Sequence, residues 1–148
     1  MTYKEYKKFA QAKVNALPIY YAFGNKQFNE MLEKHFNNMT MEDAKQKLYG
    51  TGNGGYYLRT DAEQIRNAFI DIDETQARLI KEDTSGDGFI YQMFLYELAN
   101  HEYIITQDIT ETLDAVGISA DDLETNPALT HGLKRAIDEI INEQQNDV

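Results

Sequence analysis

A chain of 148 residues with 42% apolar content is long enough to bury the core of one compact domain spanning residues 1–148. It contains no Cys, which excludes disulfides, thiolate catalysis and thiolate zinc sites. Its 14 Lys/Arg against 25 Asp/Glu leave a net charge of −11, which disfavours polyanions as direct ligands and attracts basic protein surfaces over about 8–10 Å.

The opening segment Thr2 to Ala16 reads as a helix, with Tyr3, Tyr6, Ala10, Val14 and Leu17 on one stripe and lysines opposite. Pro18 stops it. Ile19 to Phe23 reads as a short buried strand, and Asn25 caps a second helix carrying Phe28, Met31, Leu32 and Phe36. Thr40 and Asp43 form a capping-box pattern for a shorter helix, placed here as ending at Gly50 with Leu48 and Tyr49 inside it. A glycine-rich loop, Gly50 to Gly55, precedes a strand over Tyr56, Tyr57 and Leu58.

Thr60 with Glu63 predicts the start of the longest helix, whose inner stripe is Ile65, Phe69, Ile72, Gln76 and Leu79. Asp83 to Gly88 breaks the chain, and Tyr91, Phe94, Leu95 and Leu98 mark another helix. Tyr103 to Thr106 reads as a strand from its aromatic and β-branched content. Thr110 caps a helix through Val116 that Gly117 stops, and Asp121, Asp122 and Glu124 fall in a loop. Asn126 before Pro127 starts the last helix, about 127–144, which frays over residues 142–148. The sum is a mainly helical α+β fold with a two- or three-stranded sheet.

Asp83, Ser85, Asp87, Gly88 and Ile90 match five positions of a calcium-binding EF-hand loop, where oxygen ligands alternate and Gly permits the bend. The twelfth position, normally a bidentate Glu, is Phe94, so the reading is a polar turn with a degenerate metal alternative at Asp83, Ser85 and Asp87. Gly50, Gly52 and Gly55 satisfy the letters of a dinucleotide fingerprint, but helix then loop then strand reverses the order that phosphate binding requires. A nucleotide-like ligand pocket built from Gly54, Tyr56, Arg59 and His101 is kept as an alternative. Glu97 and His101 lie one helical turn apart and can pair. No catalytic constellation, metal centre or cofactor is expected.

Charge separates along the chain: residues 1–60 hold nine Lys/Arg against five Asp/Glu, and residues 61–148 hold five against twenty. Candidate partner-binding carboxylates are Asp61, Asp71, Asp73 and Glu74 on one helix, Asp121, Asp122 and Glu124 after Gly117, and Asp138, Glu139 and Glu143 on the last helix. Spaced negative groups on a rigid scaffold imitate a phosphate backbone. No apolar run reaches the roughly 20 residues of a membrane span, and Met1 to Phe9 lacks the apolar stretch of a signal peptide, so a cytoplasmic protein is expected.

Three segments carry a resemblance: Leu17 to Phe28 (LPIYYAFGNKQF), Gly54 to Asp61 (GGYYLRTD) and Phe94 to Tyr103 (FLYELANHEY). Over roughly Thr2 to Gly117 the chain resembles an uncharacterised group of small proteins encoded by phages and prophages of low-GC Gram-positive bacteria. The resemblance implies a setting, the bacterial host cell, and no established reaction or ligand. Setting and charge together predict a non-enzymatic accessory protein that inhibits a host defence protein with a basic nucleic-acid-binding surface, of the anti-CRISPR or DNA-mimic kind, without touching nucleic acid or membrane itself. The alternatives are a nucleotide-like small-molecule binder or sponge, and an oligomeric assembly factor in which Phe28, Met31 and Phe36 meet another copy.

Overall fold

A computed structural model describes residues 1–146. The elements in chain order are α1 (Tyr3–Asn15), β1 (Tyr20–Tyr21), α2 (Asn25–His35), α3 (Met41–Lys47), β2 (Leu48–Gly50) and β3 (Gly55–Leu58). After a 3₁₀ turn at Arg59–Asp61 come α4 (Ala62–Glu82), α5 (Phe89–Asn100), α6 (Tyr103–Thr106), α7 (Thr110–Val116), α8 (Ala120–Thr125) and α9 (Pro127–Asn146). The fold is mainly helical α+β with one three-stranded antiparallel sheet. By packing, the chain divides into two compact units: Ala10–Asp73, and Met1–Phe9 together with the chain from Glu74 onward.

In the first of these, the strands run in the order β1-β3-β2, with Tyr20 opposite Tyr56, Tyr21 opposite Gly55, Leu48 opposite Leu58 and Tyr49 opposite Tyr57. Because successive side chains alternate across a sheet, Tyr20, Leu48, Tyr56 and Leu58 fall on one face and Tyr21, Tyr49 and Tyr57 on the other. The first face packs on Ala22, Met31, Leu32, Phe36 and Ala44, with Phe28 edge-on to Tyr56 at 5.0 Å. Met31 and Phe36 are buried in this unit's own core, and Phe28 packs against it while partly buried.

In the second, α5 is the centre. Ile90, Met93, Phe94 and Leu98 have no exposed surface, each contributing about 1.5–3 kcal/mol by burial. Helix α5 packs against α9, where Leu129, Leu133, Ala136 and Ile140 are buried, and against α7, where Val116 is buried, while Tyr3 and Tyr6 meet Phe89 at 5.5 and 5.8 Å. Thr2 and Glu5 close α1 with a reciprocal capping box, the Thr2 N–H to Glu5 Oε1 at 2.9 Å and the Glu5 N–H to Thr2 Oγ1 at 3.1 Å.

Several local expectations hold. Thr40 Oγ1 accepts the Asp43 N–H at 3.1 Å, Asn126 Oδ1 accepts the Ala128 N–H at 3.0 Å beside Pro127, and Gly117 closes α7 at φ 68°. Others are corrected. Gly24, not Asn25, is the N-cap of α2. Thr60 lies inside a 3₁₀ turn and does not cap α4. Leu48 and Tyr49 leave the helix for β2, because pairing with β3 satisfies their backbone groups across the hairpin. Tyr103–Thr106 is one helical turn, bracketed by left-handed Glu102 and Gln107, since a strand propensity without a partner strand forms no ladder. Asp121, Asp122 and Glu124 belong to a helix, and Phe69 is exposed on α4. Helix α9 stays helical through Asn146, where fraying was expected from residue 142; Asp147 and Val148 lie outside the described residues.

Candidate interaction surface

The two compact units carry unequal charge, though the contrast is smaller than along the chain, because the lysines of residues 1–9 pack with the acidic C-terminal part. Residues 1–9 and 74–148 hold seven Lys/Arg against seventeen Asp/Glu, a net −10, whereas residues 10–73 hold seven against eight, a net −1. In the acidic unit, among the described residues, Glu82, Asp87, Glu97 and Glu111 are the carboxylates engaged in ion pairs. Glu74, Asp121, Glu124, Asp138 and Glu143 are exposed and make none, and the half-buried Glu139 makes none either.

Helices hold these groups in place. Ser119 Oγ accepts the Asp122 N–H at 3.1 Å, and Asp122 Oδ2 accepts the Ser119 N–H at 2.9 Å, a capping box that fixes the start of α8 and spends one candidate carboxylate on the fold. Thr130 Oγ1 donates to the Leu123 carbonyl at 2.6 Å, tying α8 to α9. Asp121 and Glu124 thus stand beside the first half of α9, while Asp138, Glu139 and Glu143 stand on its second half. A groove of about 580 Å³ lined by Tyr3, Gln92, Leu95, Tyr96 and Ile140 carries Glu143 and Lys4 at its rim.

The remaining candidates separate. Asp61 sits in the 3₁₀ turn before α4, Asp71 is ion-paired with Lys13, and Asp73 is exposed without an ion pair among the described residues; all three belong to the near-neutral unit. Asp71, Asp73 and Glu74 share α4 as expected, and Asp61 falls in the turn just before it.

The pocket of Gly54, Tyr56, Arg59 and His101 is likewise divided. Gly54, Tyr56 and Arg59 belong to the unit Ala10–Asp73, and His101 to the other. Gly54, at φ 93°, has the Phe23 ring where a Cβ would stand; Tyr56 packs into the core; Arg59 stacks on Tyr49 at 4.5 Å. The glycine loop joins two antiparallel strands, which removes the helix N-terminus that a dinucleotide site needs.

At Asp83 to Gly88 the carboxylate of Asp83 is spent on the turn. Its Oδ1 accepts the Gly86 N–H and the Ser85 hydroxyl at 3.1 and 3.2 Å, and its Oδ2 accepts the Gly88 and Ile90 N–H groups at 3.1 and 2.9 Å. Asp87 turns away, to Arg135 Nη1 and His131 Nε2, both at 2.8 Å, and Phe94 at the twelfth position is wholly buried. Ser85 donates to Asp83 and accepts the Asp87 N–H at 3.1 Å. This is the polar turn, and it clamps the chain before α5 onto α9. The Arg135 and His131 hydrogen bonds hold the Asp87 carboxyl below its usual value of about 4. Its contribution is therefore present above that pH and lost as pH falls through the depressed value, so Asp87→Asn should flatten the acid limb of stability in urea melts recorded across the acid range.

One buried carboxylate was only half legible. Glu97 on α5 faces His101 as its spacing predicts, Oε2 to Nε2 at 3.5 Å, but it also accepts the Tyr3 hydroxyl at 2.6 Å and lies 3.4 Å from Lys7 Nζ. His101 Nδ1 in turn lies 3.6 Å from Glu111. Tyr3 and Glu97 are 94 positions apart, and no local pattern announces the pair.

Together these features define a small, mainly helical α+β protein whose acidity is concentrated in one helical unit. The chain belongs to a family of unknown function, DUF7659, whose sequence profile matches residues 2–139. No curated protein and no solved structure matches it. No described helix is long and apolar enough to cross a membrane.

Proposed function

We propose that the protein is a non-enzymatic accessory protein of a phage or prophage that binds and inhibits a basic, nucleic-acid-handling host defence protein, such as a CRISPR effector or a restriction enzyme, in the host cytoplasm. The observation that carries this reading is the net −10 of one helical unit, whose carboxylates on α8 and α9 are mostly outside ion pairs. Rigid, unneutralised carboxylates retain their field, and a cationic channel built for phosphate is the surface that such a field steers toward. The likeness to phage-encoded proteins supplies the setting.

The test expresses the protein in Gram-positive hosts carrying active CRISPR or restriction systems and measures phage plating. Plating should recover in at least one, and the purified effector from that host should be inhibited less as salt rises. The triple variant Asp121→Lys, Glu124→Lys, Asp138→Lys should weaken inhibition at least about tenfold and flatten its salt dependence. Equal inhibition by the charge-reversed protein at every salt concentration would refute the reading, as would plating unchanged across the panel.

A further inference from the structure

The near-neutral unit carries a second surface that the whole-chain charge conceals. Tyr21, Tyr49 and Tyr57 project from three adjacent strands on the sheet face turned away from the core. Phe23 continues the row. The rings of Tyr21 and Phe23 are held over glycines: a Cβ at Gly55 would meet Tyr21 Cε1 at 3.0 Å, and one at Gly54 would meet Phe23 Cε1 at 2.4 Å. Both rings are nonetheless mostly open to solvent, Tyr21 at 55% and Phe23 at 67% exposure, with Tyr49 at 43%. Apolar rings supported from below and open above are a stacking platform whose ordering cost is already met by the fold.

Charge specifies what stacks there. The Arg59 guanidinium lies over the Tyr49 ring, 4.5 Å from its centroid, which holds its charge beside the rings. The strand segments 19–23 and 48–59 contain Arg59 and no Asp or Glu, while Glu30 and Lys34 of α2 together line a cavity beside Tyr21. Tyr49 and Tyr57 stand 5.8 Å apart on neighbouring strands. Exposed aromatics on a sheet with a guanidinium over one of the rings suit a ligand with π-faces and phosphates. A duplex hides its base faces within its own stack, whereas a single strand presents them.

We propose that this sheet face binds single-stranded nucleic acid, with bases stacking on Tyr21, Phe23 and Tyr57 and Arg59 meeting the phosphates. The net charge that turns polyanions away belongs to the other unit. The two readings use different residues and fail separately.

The experiment titrates the full-length protein into fluorescein-labelled oligothymidylate and oligouridylate of about ten nucleotides at low salt, followed by anisotropy. Saturable binding is expected, weaker by at least about tenfold for a duplex of the same length. Phe23→Ala and Tyr21→Ala should each weaken it about tenfold, while Tyr21→Phe keeps the ring and the affinity. Arg59→Gln should lower both affinity and salt slope, and Ile105→Ala, an exposed change in the other unit, should do neither. Far-UV circular dichroism of each variant separates lost binding from lost folding. No saturable binding by the folded wild type, unchanged affinity in a folded Tyr21→Ala, or equally tight binding of thymidine monophosphate would overturn the proposal. So would aromatic variants that bind the oligonucleotide normally but no longer inhibit a host effector, which would assign the face to a protein.

Discussion

Gly86→Ala is expected to cost about 3 kcal/mol or more, measured by urea denaturation, although it adds a single methyl group. Two penalties coincide at this position. The residue sits at φ 81°, where a side chain is strained, and its Cβ would stand 2.1 Å from the carbonyl oxygen of Ala128, a backbone atom that cannot rotate aside. Gly132 approaches the same contact from α9, since a Cβ there would meet the Gly86 oxygen at 2.7 Å and Ile90 Cγ2 at 2.5 Å. Two glycines thus let the turn after α4 lie directly on α9, where Asp83 shapes it from within and Asp87 fastens it through His131 and Arg135. Gly117→Ala is the control: φ is 68°, nothing lies within 4 Å, and only the left-handed penalty of about 1–2 kcal/mol remains. If Gly86→Ala loses no more stability than Gly117→Ala, the close approach is not what fixes this turn.

The same turn shows what sequence can and cannot deliver. Its letters identify a break between two helices and raise the calcium alternative, and both follow from residue type and spacing. Asp83 is satisfied within seven residues, but the partners of Asp87 are His131 and Arg135, 44 and 48 positions away, and emerge only when α9 is in place. The helix start at Asn126-Pro127 and the stop at Gly117 were legible because capping is settled within four residues. Helix α8 was legible in principle, since Ser119 and Asp122 spell a capping box, yet its six residues carry too little periodicity to stand out from a loop.

Strand assignments fared worse for a physical reason. Tyr103–Thr106 has the composition of a strand and no partner, while Leu48–Gly50 has a partner, β3, supplied by the glycine turn beyond it. The tyrosines follow the same logic. Tyr56 enters the core and Tyr57 faces out because the strand alternates, so a period-of-two reading of the segment Gly55–Leu58 would have divided them. The partition of charge into −10 and −1 was beyond reach, because residues 1–9 join the unit that begins at Glu74. A count along the chain places their three lysines with the wrong neighbours.

Glu97→Ala should cost about 3 kcal/mol or more, because it removes an acceptor from a site that water barely reaches. The Glu97 residue is 3% exposed, and the loss strands the Tyr3 hydroxyl among Tyr6, Phe89 and Tyr96. Lys7 is half exposed and can turn to water, so Lys7→Ala should cost about 1 kcal/mol or less. Tyr3→Phe keeps the ring packing and deletes only the donor, at about 1.5–3 kcal/mol. The double variant Tyr3→Phe, Glu97→Ala should cost less than the two single changes added, since each alone leaves the other residue without its partner.

Burial, and then the hydrogen bond to Glu97, push the Tyr3 phenol above its ordinary value of about 10. The folded state therefore keeps a proton that the unfolded chain gives up. Its contribution is complete below about pH 10 and declines as pH rises toward the higher folded value. Urea melts of the wild type should show that alkaline decline, and Tyr3→Phe should reduce it. A decline of the same size in Tyr3→Phe would mean that the neutral phenol on Glu97 is not what anchors the start of α1 to α5.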